Sequence, residues 1–512
     1  MNNFSSFMED TRHFRTIPIV ESYVVDTLTP IQVVEKLENE VVYLLESRDD
    51  SSVWSRYSFI GLDPFMTIKE KNGQVHVYDQ DQQKLYSASQ LKRVLEWMSH
   101  TCLIKTPDLE IPFVGGAVGY LSCDFMSLVE PSIAKHKDDT DFEKCLLFVC
   151  RKMVAYDHEL RKVHLIHYAR LNGTETETEK IRIFKNVKQE LKQLKQNLSD
   201  RKTAKELFFA HHHDLPLSDE NIQSTHEKSQ FLVGVERLKE YMKAGDIFQG
   251  VLSQKFKIPV KVSSFELYRV LRLVNPSPYM YYIKLPDREL VGSSPERLIH
   301  VQNGHLEIHP IAGTRKRGTN QAEDERLQKE LLADDKEKAE HCMLVDLARN
   351  DIGRVAEYGS VKVNDFGKVV SFSHVMHMIS VVTGTLKTGV HPVDALMSAF
   401  PAGTLTGAPK IRAMQLLNEL EPTPRETYGG CIAYIGFDGN IDSCITIRTM
   451  SIKDGLATIQ AGAGIVADSV PEKEWEESFN KAKALLKTIQ IAEKIFLGKE
   501  GYGNERTAEI LR

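Results

Sequence analysis

The sequence predicts an α+β protein organised on large antiparallel β-sheets, and two observations carry that expectation. Asn-Gly and Asp-Gly pairs recur at the centres of β-prone flanks, the strongest short-range hairpin signal, and two-residue turns join antiparallel strands. Helix-patterned stretches interrupt these hairpins, which sets the chain apart from a parallel βαβ sheet.

In chain order, Asn72-Gly73 divides MTIKEK from QVHVYD. A looser turn, YDHEL at 156–160, divides CLLFVCRKMVA from RKVHLIHYA. Asn303-Gly304, Asp438-Gly439 and Asp454-Gly455 make three further hairpins. Helices are expected over 90–100, 231–246, 334–351 and 471–496. A polar, lysine-rich stretch marks a composition shift. It divides the chain into an N-terminal region (1–170), a charged connection (171–224), a C-terminal region (225–490) and a tail (491–512). Within the connection, His211, His212 and His213 read as linker histidines more readily than as a metal site.

At 512 residues, 42 % hydrophobic and 27 % charged, the chain has the composition of an ordinary globular protein with a large core. A net charge of −6 argues against a nucleic-acid partner. No apolar run is long enough to span a bilayer, so no membrane association is expected. The N-terminus lacks the basic-then-apolar order of a secretory signal. Seven cysteines with no CxxC pair read as reduced thiols, and the expected location is cytoplasmic.

Two helices carry acidic pairs. DDKEKAEHCMLVDLARND (334–351) reads as a helix capped by Asp334 or Asp335, with Glu337, Glu340, Leu344 and Leu347 on one face. Pro471 opens the second, where Glu474 and Glu477 are again three apart beside Trp475, Phe479, Ala482 and Leu486. Four inward carboxylates would repel one another unless a cation neutralised them, and a hard divalent ion such as Mg²⁺ fits oxygen ligands. Acidic first turns also suit the helix dipole, and on spacing alone that solvated reading stands ahead.

Eight motifs in order change the balance: GSSPE (292–296), IHPIAGTRKRG (308–318), KEKAEHCMLVDLARNDIGRV (336–355), SHVMHMIS (373–380), FPAGTLTGAPKIRAM (400–414), YGGCIAYIGFDG (428–439), DSCITIRT (442–449) and IQAGAGIVADSVPEKEWEE (459–477). Together they resemble the chorismate-utilising enzymes over about residues 20 to 490, with an N-terminal region of the anthranilate synthase type. The resemblance implies antiparallel sheets packed as a sandwich core with surrounding helices. It implies a Mg²⁺ site with Glu340 and Glu477 as direct ligands and Glu337 and Glu474 acting partly through water. It assigns chorismate's carboxylates to Arg448 and to Gly462, Ala463 and Gly464, with Thr404, Tyr428, Gly313 and Thr314 lining the pocket. Physically, an arginine suits a carboxylate by bidentate pairing, and a glycine-rich backbone lets N–H groups approach an anion. Without the motifs, the blander readings are a surface arginine and an ordinary turn. His377, four residues after His374, lacks the HExxH context of a zinc pair; the resemblance gives it a part in pyruvate loss, a proton transfer that imidazole suits.

Two positions separate family members. Water-adding relatives resemble one another in carrying a lysine base where GDIFQGVLSQKF places Gln249, and an amide cannot deprotonate water. Aminodeoxychorismate synthases carry a nucleophilic lysine where PIAGT has Ala312. Both point to direct ammonia addition at C2, giving anthranilate and pyruvate through 2-amino-2-deoxyisochorismate, the first committed step of tryptophan biosynthesis. Aminodeoxychorismate synthase, isochorismate synthase and a non-catalytic tryptophan-sensing protein remain the rival readings. Gly250 and Gln254 depart from the family's usual bulky residue and basic pair. No cysteine lies in a GxCxG elbow, so the resemblance implies that a separate glutamine amidotransferase subunit, component II, supplies ammonia within a heterodimer or heterotetramer. Finally, Glu46 and Ser47, with Asn275, Pro276, Tyr279, Met280 and Cys444, resemble the family's tryptophan feedback site. There a carboxylate would pair with the ammonium, and Pro276, Tyr279 and Met280 would wall an indole. Alone, these segments read as a strand end and a Pro-rich turn.

Overall fold

Each tight-turn pair of the sequence closes a hairpin. Lys71 pairs with Gln74, Gln302 with His305, Lys453 with Leu456, and Asp157 with Lys162 across the looser turn. At Asn72-Gly73, Asn303-Gly304 and Asp454-Gly455 both residues take positive φ, which matches the right-handed strand twist. Asp438-Gly439 differs: only Gly439 has positive φ, and the loop is wider, closing from Gly436 N–H to the Asn440 carbonyl. The computed structural model describes residues 4–47, 53–133, 142–200, 221–371 and 375–497. His211, His212, His213 and His374 lie outside the described residues.

All pairings between the named strands are antiparallel, and they trace two sheets that share two long strands, Tyr57–Lys71 and Cys145–Asp157. These strands pair along most of their length, with a register shift at Pro64, which cannot donate to the ladder. On one side of the shift, Val41–Glu46 continues the first sheet to Tyr279–Lys284, Glu289–Ser294, Thr449–Lys453, Leu456–Ile465 and Gln249–Pro259. On the other, Gly116–Leu121 continues the second to Cys431–Gly436, Ile441–Ile445, Arg297–Gln302, His305–Ile308 and Val375–Thr385.

Aromatic and aliphatic side chains from both sheets fill the space between them, among them Tyr43, Phe59, Val118, Phe148, Tyr281 and Ile432. Helices cover the outer faces and contribute two larger cores. The expected sandwich with surrounding helices is therefore present. Strands from the two halves of the chain meet edge to edge within each sheet, so the N-terminal and C-terminal regions share one scaffold. Part of the stretch expected to connect them is the helix Glu177–Ser199, which buries Val187, Leu191, Leu194 and Leu198 against the N-terminal strands and is itself a packed element. Similarly, the last helix runs Pro471–Leu497 and buries Ile491 and Ala492, carrying the fold into the stretch expected as a tail.

Candidate active site

Sheet register brings the candidate residues together. Strand Gln249–Pro259 pairs with Leu456–Ile465, placing Val251 opposite Gly464 and Ser253 opposite Gly462. Gly462, Ala463 and Gly464 thus belong to a strand, where a turn was the blander expectation. Their neighbour Thr449–Lys453 pairs only as far as Ile459, which leaves the other edge of 462–464 without a strand partner. A Cβ on Gly464 would stand 2.9 Å from Gln249 Nε2, and one on Gly462 3.0 Å from the Tyr428 hydroxyl and 2.7 Å from the Leu252 carbonyl oxygen. Those glycines are needed because the Gln249 and Tyr428 side chains lie directly over the strand.

Strand Ile311–Lys316 pairs with Val375–Thr385, and Thr314 faces His377. Gly313, at φ 62°, makes the bulge that lets its carbonyl accept from His377 Nδ1 at 3.1 Å; the Thr314 hydroxyl lies at the same distance. With Nδ1 as donor, the ring's Nε2 carries the lone pair. Burial lowers the His377 pKa, the Gly313 carbonyl opposes this, and the Arg448 charge lowers it further. Arg448 itself sits at positive φ, solvent-accessible but ringed by protein; lost hydration lowers its pKa and the Glu296 carboxylate opposes that.

Glu296 was not singled out in the sequence. It ends GSSPE, and Thr404 of the short helix Gly403–Thr406 donates to its Oε1 at 2.9 Å. Burial pushes the Glu296 carboxyl up to about 7, against the Thr404 hydrogen bond and the charges of Arg448 and Lys481. A carboxylic acid poised near neutrality beside an arginine can donate a proton at neutral pH. The GSSPE motif held the only signal, a glutamate after a buried strand end, and its meaning depends on contacts over a hundred residues away.

The helix Asp335–Gly353 is capped by Asp334, which accepts from the Lys336 and Glu337 N–H groups. Its buried face is His341, Leu344, Val345, Ala348 and Ile352, while Leu347 is half-buried over Gly403. The acidic pairs do not point into the interior as expected. Glu337 and Glu474 are half-buried, and Glu340 and Glu477 are solvent-exposed. The reason is the position of both pairs in the first two turns, before each helix's continuous apolar face begins. They nonetheless face one another across the cleft. Although its side chain reaches solvent, Glu340 loses hydration to the cleft walls, which raises its pKa, and the charges of Glu337 and Glu477 raise it further. Burial likewise raises Glu474, with Glu477 adding to it and a Ser469 hydrogen bond opposing. Two cations neutralise the other pair members: Arg315 lies 3.2 Å from Glu337 and Lys481 2.8 Å from Glu477. Lys481 also donates to the Gly462 carbonyl at 3.1 Å, tying the last helix to the glycine strand. As the side chains stand, no three metal-capable groups converge among the described residues. The donor set still fits a hard cation, being carboxylate oxygens whose mutual repulsion a divalent charge would relieve.

A second cavity opens where the two halves of the first sheet meet, beside the pairing of Met280 with Glu46. Glu46, Ser47, Tyr279, Met280 and Cys444 line it, with Phe59, Pro278, Ile432 and Asp442. Asn275 and Pro276 are not among the lining residues; Pro278 takes the wall position, and Asn275 instead bonds Ser293 through its amide. The Glu46 carboxylate is already satisfied by Arg272 at 2.8 Å, the Tyr268 hydroxyl at 2.5 Å and the Ser58 hydroxyl at 3.2 Å.

Comparison with known proteins places this geometry. Residues 40–487 match the family of chorismate binding enzymes. Anthranilate synthase component 1 of Bacillus subtilis is 68 % identical over 511 residues, covering 100 % of this chain and 99 % of that protein. The protein of the same name from Geobacillus stearothermophilus is 50 % identical, covering 97 % and 98 %. The crystal structure of anthranilate synthase component I from Streptococcus pneumoniae superposes with a TM-score of 0.72 at 34 % identity, covering 91 % of this chain and 99 % of that one. The menaquinone-specific isochorismate synthase of Escherichia coli, at 18 % identity and a TM-score of 0.67, covering 95 % and 99 %, shares the fold.

Proposed function

The chain belongs to the chorismate binding enzymes, among the anthranilate synthase component 1 proteins, and from that premise we propose that it converts chorismate and ammonia to anthranilate and pyruvate in a Mg²⁺-dependent lyase reaction. The observation that carries the reading is the grouping of Glu296, Arg448, His377 and the glycine strand around one cleft, with a neutral Gln249 and an Ala312 where a water-activating or ring-attacking lysine would stand.

Arg448 pairs with one substrate carboxylate, and the free N–H edge of 462–464 with another. Gln249, held over Gly464, orients ammonia towards C2 through its amide. Attack at C2 shifts the ring double bonds and expels the C4 hydroxyl, which must leave as water. Glu296 supplies that proton, Thr404 fixing its orientation. In the second half, His377 Nε2 takes the proton from C2 as the enolpyruvyl group leaves C3, and the ring becomes aromatic. Glu340 and Glu477, with Glu337 and Glu474 behind them, would hold Mg²⁺, which supplies positive charge to the substrate carboxylate and relieves the repulsion among the four.

Six of the seven cysteines are buried, with Cys342 exposed, and burial raises the thiols of Cys123 and Cys431, an environment unsuited to a glutaminase thiolate. Glutamine-derived ammonia therefore comes from a partner amidotransferase subunit. The cavity between Glu46 and Met280 takes tryptophan as feedback inhibitor. Glu46 and Asp442 both line the cavity and supply the negative charge for the ammonium, each with an arginine beside it, Arg272 at 2.8 Å and Arg297 at 3.8 Å. No described helix is long and apolar enough to cross a membrane. Incubation with chorismate and ammonium at alkaline pH, with and without Mg²⁺, tests the reading by anthranilate fluorescence. Chorismate turned over to a non-fluorescent aminated or hydroxylated product would overturn it.

A further inference from the structure

Gln254 is the residue where the sequence departs from the family's basic pair, and its surroundings give the departure a purpose. It is 1 % exposed on the strand that begins with Gln249. Its Nε2 donates to the Ser478 hydroxyl at 2.7 Å, and its Oε1 accepts from the Ser224 hydroxyl at 2.8 Å. Ser224 in turn accepts from the His226 N–H at 3.1 Å. Ser478, fully buried, donates to the Trp475 carbonyl at 2.8 Å, one turn back along the last helix.

That turn is the one that carries Glu474 and Glu477. Around it Glu472, Lys473, Glu476 and Glu477 are exposed, and Ser478 is the helix's first fully buried residue. Before the continuous apolar contact of Ala482, Leu485 and Leu486 begins, the turn is held by the Trp475 ring against Phe231, the Phe479 ring against Phe256, the Lys481 bond to the Gly462 carbonyl and the Gln254–Ser478 bond. The last is the buried polar anchor directly after Glu477. A buried amide with both of its ends used is rigid and directional, because releasing either end strands a buried polar group. A lysine or arginine at this position would instead bring a buried cation one residue from Glu477.

We propose that Gln254 is a positioning residue: it fixes the helix turn bearing Glu474 and Glu477 onto the strand that presents Gln249, holding the carboxylates at the spacing that a divalent cation requires. The inference rests on the Mg²⁺ reading given above. Removing such an outer support weakens metal binding by roughly ten- to a hundredfold.

The test compares wild type, Gln254→Leu, Ser478→Ala and the double variant. Amide hydrogen exchange on metal-free protein should accelerate in residues 473–478 of Gln254→Leu and leave the rest of the helix protected. Calorimetric titration with Mg²⁺ should show affinity weakened about tenfold, while chorismate KM at saturating Mg²⁺ stays near the wild-type value. The double variant should be no weaker than the worse single variant, because both remove the same Gln254–Ser478 bond. Exchange unchanged at 473–478, or accelerated throughout the helix, overturns the proposal, as does an unmoved Mg²⁺ affinity in a folded variant. Wild-type protein with no Mg²⁺ binding would instead overturn the metal reading itself, and so the two failures are distinguishable.

Discussion

Glu296→Gln should make the protein more stable and far less active at once. Its carboxyl is raised from an ordinary 4.5 to about 7, with burial as the leading cause. A carboxyl whose folded-state pKa exceeds its unfolded value binds more protons in the folded state between the two, so stability falls as pH rises from about 4.5 to about 7. At about 1.36 kcal/mol per pH unit, the cost of keeping Glu296 ionised is on the order of 3 kcal/mol. Glutamine is neutral at all these pH values and can still accept from the Thr404 hydroxyl. The assay is urea unfolding of both proteins at several pH values. Near pH 4 the curves should coincide; by pH 8 the variant should unfold at higher urea, the gap approaching a few kcal/mol. Anthranilate formation should meanwhile fall by roughly 10²–10⁴, the usual loss of a general acid. A stability difference that is flat with pH, or a variant of near wild-type rate, would refute the assignment of Glu296 as a buried proton donor.

His377→Phe should leave chorismate consumption intact while 2-amino-2-deoxyisochorismate accumulates, detected by chromatography; anthranilate formation at the normal rate would remove His377 from the second half-reaction. Arg448→Lys gives up a bidentate pair and should lower kcat/KM for chorismate by about ten- to a hundredfold, from about 1.5–3 kcal/mol for a charged hydrogen bond, with steady-state kinetics as the check. Ser47→Phe should fill part of the cavity that Ser47 lines and raise the half-inhibitory tryptophan concentration by at least about tenfold with basal activity preserved. Glu46→Ala also removes inhibition, but it strands Arg272 and should destabilise the fold by about 3–5 kcal/mol, a cost read as a lowered melting temperature.

Local features were legible in the sequence because their causes are local. An Asn-Gly pair needs no partner elsewhere to take two positive φ values, and Asp334 caps its helix through N–H groups two and three residues on. The interleaving of the two halves was not legible, since it depends on Met280 finding Glu46 and Ala433 finding Gly119 across the chain. The cavity proposed for tryptophan fell between these cases. Strand residues Tyr279 and Met280 reached it as expected, but the turn residues Asn275 and Pro276 did not, because periodicity constrains a strand face and says nothing about where a turn points.

The same distinction explains how one cleft can hold five carboxylates with different tasks. Residue type alone gives five glutamates with one ordinary pKa. Arg315 and Lys481 sit beside Glu337 and Glu477. Glu340 and Glu474, raised by lost hydration in the cleft and by their neighbours' charge, gain most from a divalent ion. Glu296 is raised by burial despite Arg448, and stands apart as the group that can carry a proton at neutral pH. Environments that push like groups apart in pKa divide ligand from acid. Spacing showed four of these glutamates as two pairs and the family resemblance proposed them as metal ligands, whereas Glu296 has no periodic partner in the sequence. Its role arises from Thr404 and Arg448, which reach it only when the fold is complete.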